Sequence, residues 1–220
     1  MNFFNNIKQI LASDALYFTG TSVFRAVTDL LPSEAECIAQ ARPVRQKEFA
    51  TGRWCARQLF NEMGRISAPI LCGKAGEPIW PHGVCGSISH THDACCAVTS
   101  FTKKHCSVGL DIENVQRRIS ASARRMIINE DEERWIAAHR DRSENLWCTV
   151  FSIKESIGKL LFPLVRRMVP FSAVSVVRLT HNDRFTCHLN EDPGNGLVSR
   201  RTLHGRLFRN DSWIVAIAFL

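Results

Sequence analysis

The stretch SVGLDIENV, residues 107–115, decides how the rest of the chain is read. Its apolar residues alternate with the period of a strand, so that Val108, Leu110 and Ile112 fall on one face and Gly109, Asp111 and Glu113 on the other. If the apolar face lies against a core, two carboxylates stand side by side on the opposite one. Carboxylates that close repel each other unless something positive sits between them. The strand therefore predicts a cationic partner.

Downstream, SENLWCTVFSIKESIGKLLF (143–162) carries the strongest helical pattern in the chain, with Ser143 as the expected N-cap. Leu146, Val150, Ile153, Ile157, Leu160 and Leu161 form its apolar stripe. At about 100° per residue, Glu155 falls opposite that stripe, and Lys159 joins it one turn on. Short helices are expected over about 119–140. Strands are expected in FSAVSVVRL, in RFTCHL and in HGRLFRNDSWIVAIAFL, the last with a hairpin turn at Asn210-Asp211.

Upstream, residues 31–64 read as one helix, with Ser33 as N-cap, Glu36 three residues on, and Gly64 as its stop. Phe49, Ala56, Phe60 and Met63 share a face of it, and Arg45, Arg53 and Arg57 can lie near one another on its surface. The Gly- and Pro-rich segment 72–87 reads as a loop. SISH (87–90) and ACCAVTS (94–100) read as strands joined by a tight turn at Thr91–Asp93, with Cys95 and Cys96 in the core. The order helix, loop, strands, then strand, helices, strands predicts an α+β chain of two halves, residues 1–107 and 108–220.

Composition narrows the class. The 220 residues are 45% hydrophobic and 22% charged, as in a globular protein. No segment approaches the roughly 18–20 apolar residues of a membrane helix. The N-terminus lacks a basic region ahead of an apolar one, so no signal peptide is expected and the protein is read as cytoplasmic. Nine cysteines without a C-x-x-C pair argue against a disulfide framework or a cysteine metal cluster and for reduced thiols. A net charge of +7, with the doublets Lys103-Lys104, Arg117-Arg118, Arg124-Arg125, Arg166-Arg167 and Arg200-Arg201, favours an anionic partner: nucleic acid, a phosphorylated small molecule or an acidic protein.

Four segments in order narrow this choice: RQKEFATGRWCAR (45–57), GEPIWPHGVCGSISH (76–90), VGLDIE (108–113) and FSIKESIGK (151–159), followed by LLFPL (160–164). Together they resemble the 4′-phosphopantetheinyl transferases, of the type that includes enterobactin synthetase component D. The resemblance implies two similar halves related by a pseudo-twofold, with the active site between them. It implies transfer of the phosphopantetheine arm of coenzyme A to a serine of an acidic apo acyl, peptidyl or aryl carrier protein, releasing adenosine 3′,5′-bisphosphate. It also implies Mg²⁺, held by Asp111, Glu113 and Glu155. Glu155 is in addition the candidate general base, directly or through a metal-bound water, and Lys159 faces the pyrophosphate. Arg45, Arg53, Lys74, Ser89 and His90 are implied at the phosphates of coenzyme A.

The chain departs from the family at Gly158, where an aromatic residue is common, and a glycine inside a helix costs about 0.5–1 kcal/mol against alanine. Arg117, Arg118, Arg124 and Arg125 are candidates for carrier docking by charge and position. A siderophore or other non-ribosomal peptide pathway fits the type, and a monomer suffices if two halves complete the site. Two other classes are weighed: a basic nucleic-acid-binding module, for which no zinc finger, RNP-like strand or clear helix-turn-helix is found, and a Mg²⁺-dependent phosphohydrolase or nuclease built on the same acids.

Overall fold

The computed structural model describes residues 2–138, 145–180, 184–194 and 202–220. The chain is α+β and divides into two compact units, Met1–Val108 and Gly109–Leu220.

In the first unit, helix α1 (Phe3–Ala12) leads into strand β1 (Tyr17–Thr21). The expected helix over 31–64 is two helices, α2 (Pro32–Glu36) and α3 (Pro43–Glu62). The break has a local cause. Arg42 precedes Pro43, whose ring disfavours helical backbone in the residue before it, and Arg42 is extended at ψ 150°. Ser33 is accordingly inside α2 rather than its cap; Glu34 closes that end by accepting from the Leu31 amide at 3.1 Å. The expected stop at Gly64 is present. Gly64 takes φ +66°, and the Arg65 amide donates back to the Phe60 carbonyl at 2.8 Å.

Beyond α3 the expected loop holds a two-stranded ribbon, β2 (Leu71–Cys72) with β3 (Pro78–Ile79), and β4 (Val84–His90) begins inside the segment read as loop. Strand β5 (Cys95–Phe101) pairs antiparallel with β4, placing His90 opposite Cys95, and its other edge pairs with β1. The α3 side chains Cys55, Ala56, Leu59, Phe60 and Met63 pack with Ile70, Val84 and Ala97 as the core. Each fully buried Leu, Phe or Met there contributes about 1.5–3 kcal/mol.

In the second unit, β6 (Val108–Asn114), α4 (Ala121–Ile127), α5 (Glu130–Ala138) and α6 (Leu146–Val165) precede β7 (Val174–Leu179), β8 (Arg184–Leu189), β9 (Thr202–Arg209) and β10 (Trp213–Phe219). Their sheet runs β6-β10-β9-β8-β7, with a turn at Asn210-Asp211 joining β9 to β10. The predicted α6 stripe, from Leu146 to Leu161, is buried throughout. Its N-cap is Asn145, which accepts from the Cys148 amide at 3.1 Å; Ser143, the expected cap, lies outside the described residues. The Asn145 amide also donates to the carbonyls of Val115 at 3.2 Å and Arg117 at 2.7 Å, tying the start of α6 to the end of β6.

Two further features fix α6. Gly109 lies so close to it that a Cβ would stand 1.9 Å from the Ser156 carbonyl oxygen and 2.5 Å from the Leu160 nitrogen. Lys154, with no exposed side-chain surface, pairs with Glu132 of α5 at 2.7 Å and donates to the carbonyls of Ile127 at 2.6 Å and Phe171 at 3.2 Å. Glu132 also accepts from the amides of Asn129 at 2.9 Å and Val176 at 2.7 Å, so both charges are solvated by protein.

The glycines of this region give opposite expectations for one substitution. Gly109→Ala drives a methyl into backbone and should lower unfolding free energy by about 1–3 kcal/mol or more. Gly158→Ala meets nothing within 4 Å and should raise it by about 0.5–1 kcal/mol. Urea unfolding of both variants checks the contrast. By the same assay Lys154→Met, which leaves Glu132 buried without its cation, should cost about 3–5 kcal/mol, and adding Glu132→Gln should recover part of the loss. Equal costs for the single and double variants would show that the ion pair itself is not the stabilising element.

Candidate active site

Strand β6 and helix α6 bring the acidic residues of the second unit into one another's field. Asp111 and Glu113 are 3% and 7% exposed, so both faces of β6 are covered, the acid-bearing face as well as the apolar one. The cation that the sequence asked for is supplied twice. Lys159 of α6 donates from Nζ to Asp111 Oδ1 at 2.7 Å, and the Arg117 guanidinium, four residues past Glu113, pairs with the Glu113 carboxylate. Arg117 also stacks 4.6 Å over the Phe151 ring, so its charge is aimed at Glu113 by α6.

The electrostatics follow from burial. Burial pushes the Glu113 carboxyl up, the Asp111 charge adds to this, and Arg117 and Lys159 oppose it. Burial likewise pushes Glu155 up, with Asp111 again adding and Lys159 opposing. Asp111 is thus a shared neighbour of both glutamates, and the three carboxylates form one electrostatic cluster with Lys159. Among the described residues no three His, Cys, Asp or Glu side chains already stand as a metal-holding group. The donor chemistry nevertheless fits a hard divalent cation: every oxygen offered is carboxylate, the ligand type Mg²⁺ takes together with water and phosphate oxygen.

The first unit gathers a second, basic group. Arg45, on the first turn of α3, contacts His90 Nε2 at the end of β4 through its Nη1. Glu48, one turn along α3, accepts from Arg45 Nη1 at 3.3 Å and lies 3.5 Å from His90 Nε2. Arg53 is 4% exposed. Its Nε donates to the Ile70 carbonyl at 2.9 Å, its Nη2 to Cys72 Sγ at 3.5 Å, and its guanidinium lies 3.9 Å from the centre of the Phe49 ring. Burial lowers its pKa, and the charge of Arg45 lowers it further, which puts the two arginines within electrostatic reach. Ser89 is buried in β4 beside His90, and Lys74 is exposed in the turn between β2 and β3.

Some residues take parts that the sequence did not assign. Arg57, one turn past Arg53 on α3, pairs with buried Glu34 at 2.5 Å and holds the Asp29 carbonyl at 2.7 Å, a structural part that the sequence did not assign. Arg117, although exposed, is engaged by Glu113, and half-buried Arg124 stacks 4.5 Å over Trp147; Arg118 and Arg125 are exposed. Glu48 was missed altogether. Its i+3 spacing from Arg45 was available in the sequence, whereas its approach to His90 needs β4 folded against α3.

Comparison with known proteins places these residues in a family. Residues 33–100 match the 4′-phosphopantetheinyl transferase N-terminal domain, and residues 107–218 match the 4′-phosphopantetheinyl transferase superfamily. The chain is 32% identical over 165 residues to the 4′-phosphopantetheinyl transferase Svp of Streptomyces mobaraensis, covering 74% of this chain and 67% of that one. It is 35% identical over 165 residues to the 4′-phosphopantetheinyl transferase PptT of Mycobacterium tuberculosis, covering 71% and 68%. Against enterobactin synthase component D of Salmonella typhimurium it is 28% identical over 174 residues, covering 79% and 71%. A family match spanning more than half of the chain, and including the strand and helix that hold the acidic cluster, identifies the chain as a member of the 4′-phosphopantetheinyl transferase superfamily, enzymes that move the phosphopantetheine arm of coenzyme A to a carrier protein.

Proposed function

We propose that this transferase works with Mg²⁺ held by Asp111, Glu113 and Glu155, and that it acts on the carrier proteins of a non-ribosomal peptide or siderophore pathway. The observation that carries the reading is the cluster itself: two glutamates pushed up by burial, each coupled to Asp111, beside a lysine that already bonds to that aspartate. Such a cluster suits a reaction that splits a pyrophosphate, because charge on both the transferred and the leaving phosphate must be offset. When bound, Mg²⁺ would supply Lewis acidity and a template for the pyrophosphate oxygens.

The protein's own groups divide the rest of the work in this reading. Lys159 moves its ammonium from Asp111 to the leaving phosphate. Glu155, whose raised pKa brings it closer to neutrality, accepts the proton of the carrier serine hydroxyl, directly or through a water. The serine oxygen forms a bond to the phosphorus of the phosphopantetheine group, the pyrophosphate P–O bond breaks, and adenosine 3′,5′-bisphosphate leaves. Arg45, Arg53, Ser89 and His90, with Lys74 from the neighbouring turn, bind the phosphates of coenzyme A, for which arginine's planar fork is suited. Arg118 and Arg125 remain outward for an acidic carrier, with exposed Met126 beside them. Nine free thiols agree with a reducing, cytoplasmic setting.

Intact-protein mass spectrometry tests the reading. Apo carrier protein incubated with the enzyme, coenzyme A and Mg²⁺ should gain the mass of one phosphopantetheine, and EDTA should abolish the gain. Asp111→Ala and Glu113→Ala should abolish it as well. Near wild-type transfer by either variant removes that residue from the metal site, while coenzyme A hydrolysis without carrier would point to a phosphohydrolase instead.

Glu155 gives a second test. Its pKa is raised above the ordinary 4.5, so the folded state favours the protonated form, and its charged form weakens the fold as pH rises above that value. Glu155→Gln should therefore lose transfer by about 10²–10⁴-fold, yet melt higher than wild type at neutral pH. The gap should close below about pH 4, where both states of the wild type are protonated. A variant that melts lower at neutral pH would show that the carboxylate is held by its partners rather than strained by burial.

A further inference from the structure

We propose, on the reading that Arg45 and His90 bind a phosphate of coenzyme A, that this binding draws a proton from solvent onto His90, with Glu48 as the positioning residue that receives the charged ring. The three side chains meet because α3 lies close against β4. A Cβ at Gly52 would stand 2.7 Å from Ile88 Cγ2. Glu48 is one helical turn before Gly52, and His90 is two residues past Ile88 on the strand, so both fall beside that contact. Of the three side chains Glu48 is the most buried and Arg45 the most exposed. The carboxylate therefore lies beneath, and the guanidinium is the group that an arriving phosphate meets first.

The donors and acceptors give His90 Nε2 two mutually exclusive roles. An arginine N–H only donates, so in the contact with Arg45 Nη1 the ring nitrogen accepts, and the ring is neutral with its proton on Nδ1. In a protonated ring Nε2 only donates, and the acceptor already in place for it is Glu48 Oε2, 3.5 Å away. Arg45 Nη1 also reaches that oxygen at 3.3 Å, so one guanidinium nitrogen holds both other groups. A phosphate that takes over the arginine fork removes this donor from Nε2 and Oε2 together. The lone pair of Nε2 is then free, a carboxylate faces it, and the phosphate adds negative charge beside the ring. Each of these favours the charged imidazole, and a proton from water completes the exchange. The other titratable groups around the ring are engaged elsewhere. Cys95, opposite His90 on β5, is a thiol that Cys55 and burial push well above its ordinary range. In the turn that follows, His92 faces Asp93 at 3.9 Å, and Asp93 accepts from Thr91 Oγ1 at 2.6 Å. Further along α3, Arg53 is turned to Ile70 and Cys72.

Titration calorimetry of the full-length protein with coenzyme A, in buffers of different ionisation enthalpy and at several pH values, counts the protons exchanged on binding. Wild type should take up more protons than His90→Gln, by at most about one per site, and its affinity should fall more steeply as pH rises. The difference between the two proteins is the readout, because a phosphate monoester with a second ionisation at about 6 exchanges protons of its own. Glu48→Gln should lose most of that difference and Glu48→Asp should keep part of it, a split that a merely structural carboxylate would not produce. Where His90→Gln binds too weakly to titrate, Glu48→Gln serves as the reference. Equal proton counts in wild type, His90→Gln and Glu48→Gln overturn the proposal. Uptake that depends on His90 but survives Glu48→Gln overturns the part given to Glu48. Arg45→Ala should raise the coenzyme A Kd several-fold. If Arg45→Ala and His90→Gln both leave the Kd unchanged, it is the reading of this cluster as a coenzyme A site that has failed, and the proton linkage falls with it.

Discussion

At Gly109 the backbone of β6 lies against the backbone of α6 with no room for a side chain, since a Cβ would fall 1.9 Å from the Ser156 carbonyl oxygen. The acidic cluster of Asp111, Glu113 and Glu155 depends on that approach. Asp111 and Glu113 follow Gly109 on the same strand face, and Glu155 and Lys159 flank the two helix positions that Gly109 touches. The 2.7 Å bond between Lys159 and Asp111 exists because the strand and the helix are that close. A side chain at position 109 would separate them and loosen the cluster before any charged residue had been altered.

The helix that receives β6 uses its two motif lysines in opposite ways. Lys154 is fully buried and spends its three N–H donors on Glu132 and two carbonyls, while Lys159 keeps about a third of its side chain exposed and reaches Asp111. Five residues apart, they point to different surroundings because α6 turns about 100° per residue. Lys154 locks α6 to α5 and to the segment leading into β7, so that the face carrying Glu155 and Lys159 cannot rotate away from β6. The stability of the first lysine's network is what gives the second a fixed position, which is why a single short segment, KESIGK, carries both.

Much of this was legible in the sequence, for identifiable reasons. The α6 stripe, the β4–β5 hairpin, the turn at Asn210-Asp211 and the stop at Gly64 are periodicity and turn chemistry, which act over a few residues. The break before Pro43 was legible in principle, because the proline acts on its immediate neighbour, but the apolar pattern ran across it. The ribbon of β2 and β3 pairs Leu71 with Ile79 and Cys72 with Pro78, too short a pattern to register as alternation. Burial of the acid-bearing face of β6 could not be read from alternation, which distinguishes two faces but not what covers each. The bond from Glu132 to Lys154, the approach of Glu48 to His90 and the hold of Arg53 on the Ile70 carbonyl join residues far apart in sequence, and only the packing of helices on strands brings them together.

The two charge clusters are built on the same rule with opposite signs. In the second unit, carboxylates crowded on β6 are answered by cations, Lys159 and Arg117; in the first, Arg45 and His90 are answered by the carboxylate of Glu48. Each cluster is therefore partly neutralised before any ligand arrives, which lowers the cost of holding its charges in a partly buried place. Binding in the proposed reaction then becomes an exchange: a phosphate takes over from Glu48 at Arg45, and a phosphate takes over from Asp111 at Lys159. The free energy of such an exchange is the difference between two ion pairs rather than the whole of one. Affinity consequently rests on how well arginine and lysine geometry fits phosphate compared with carboxylate. The carboxylate released in the second unit, Asp111, is one of those proposed to receive the metal, so phosphate and cation each remove an obstacle to the other, and their binding should be mutually reinforcing by linkage alone.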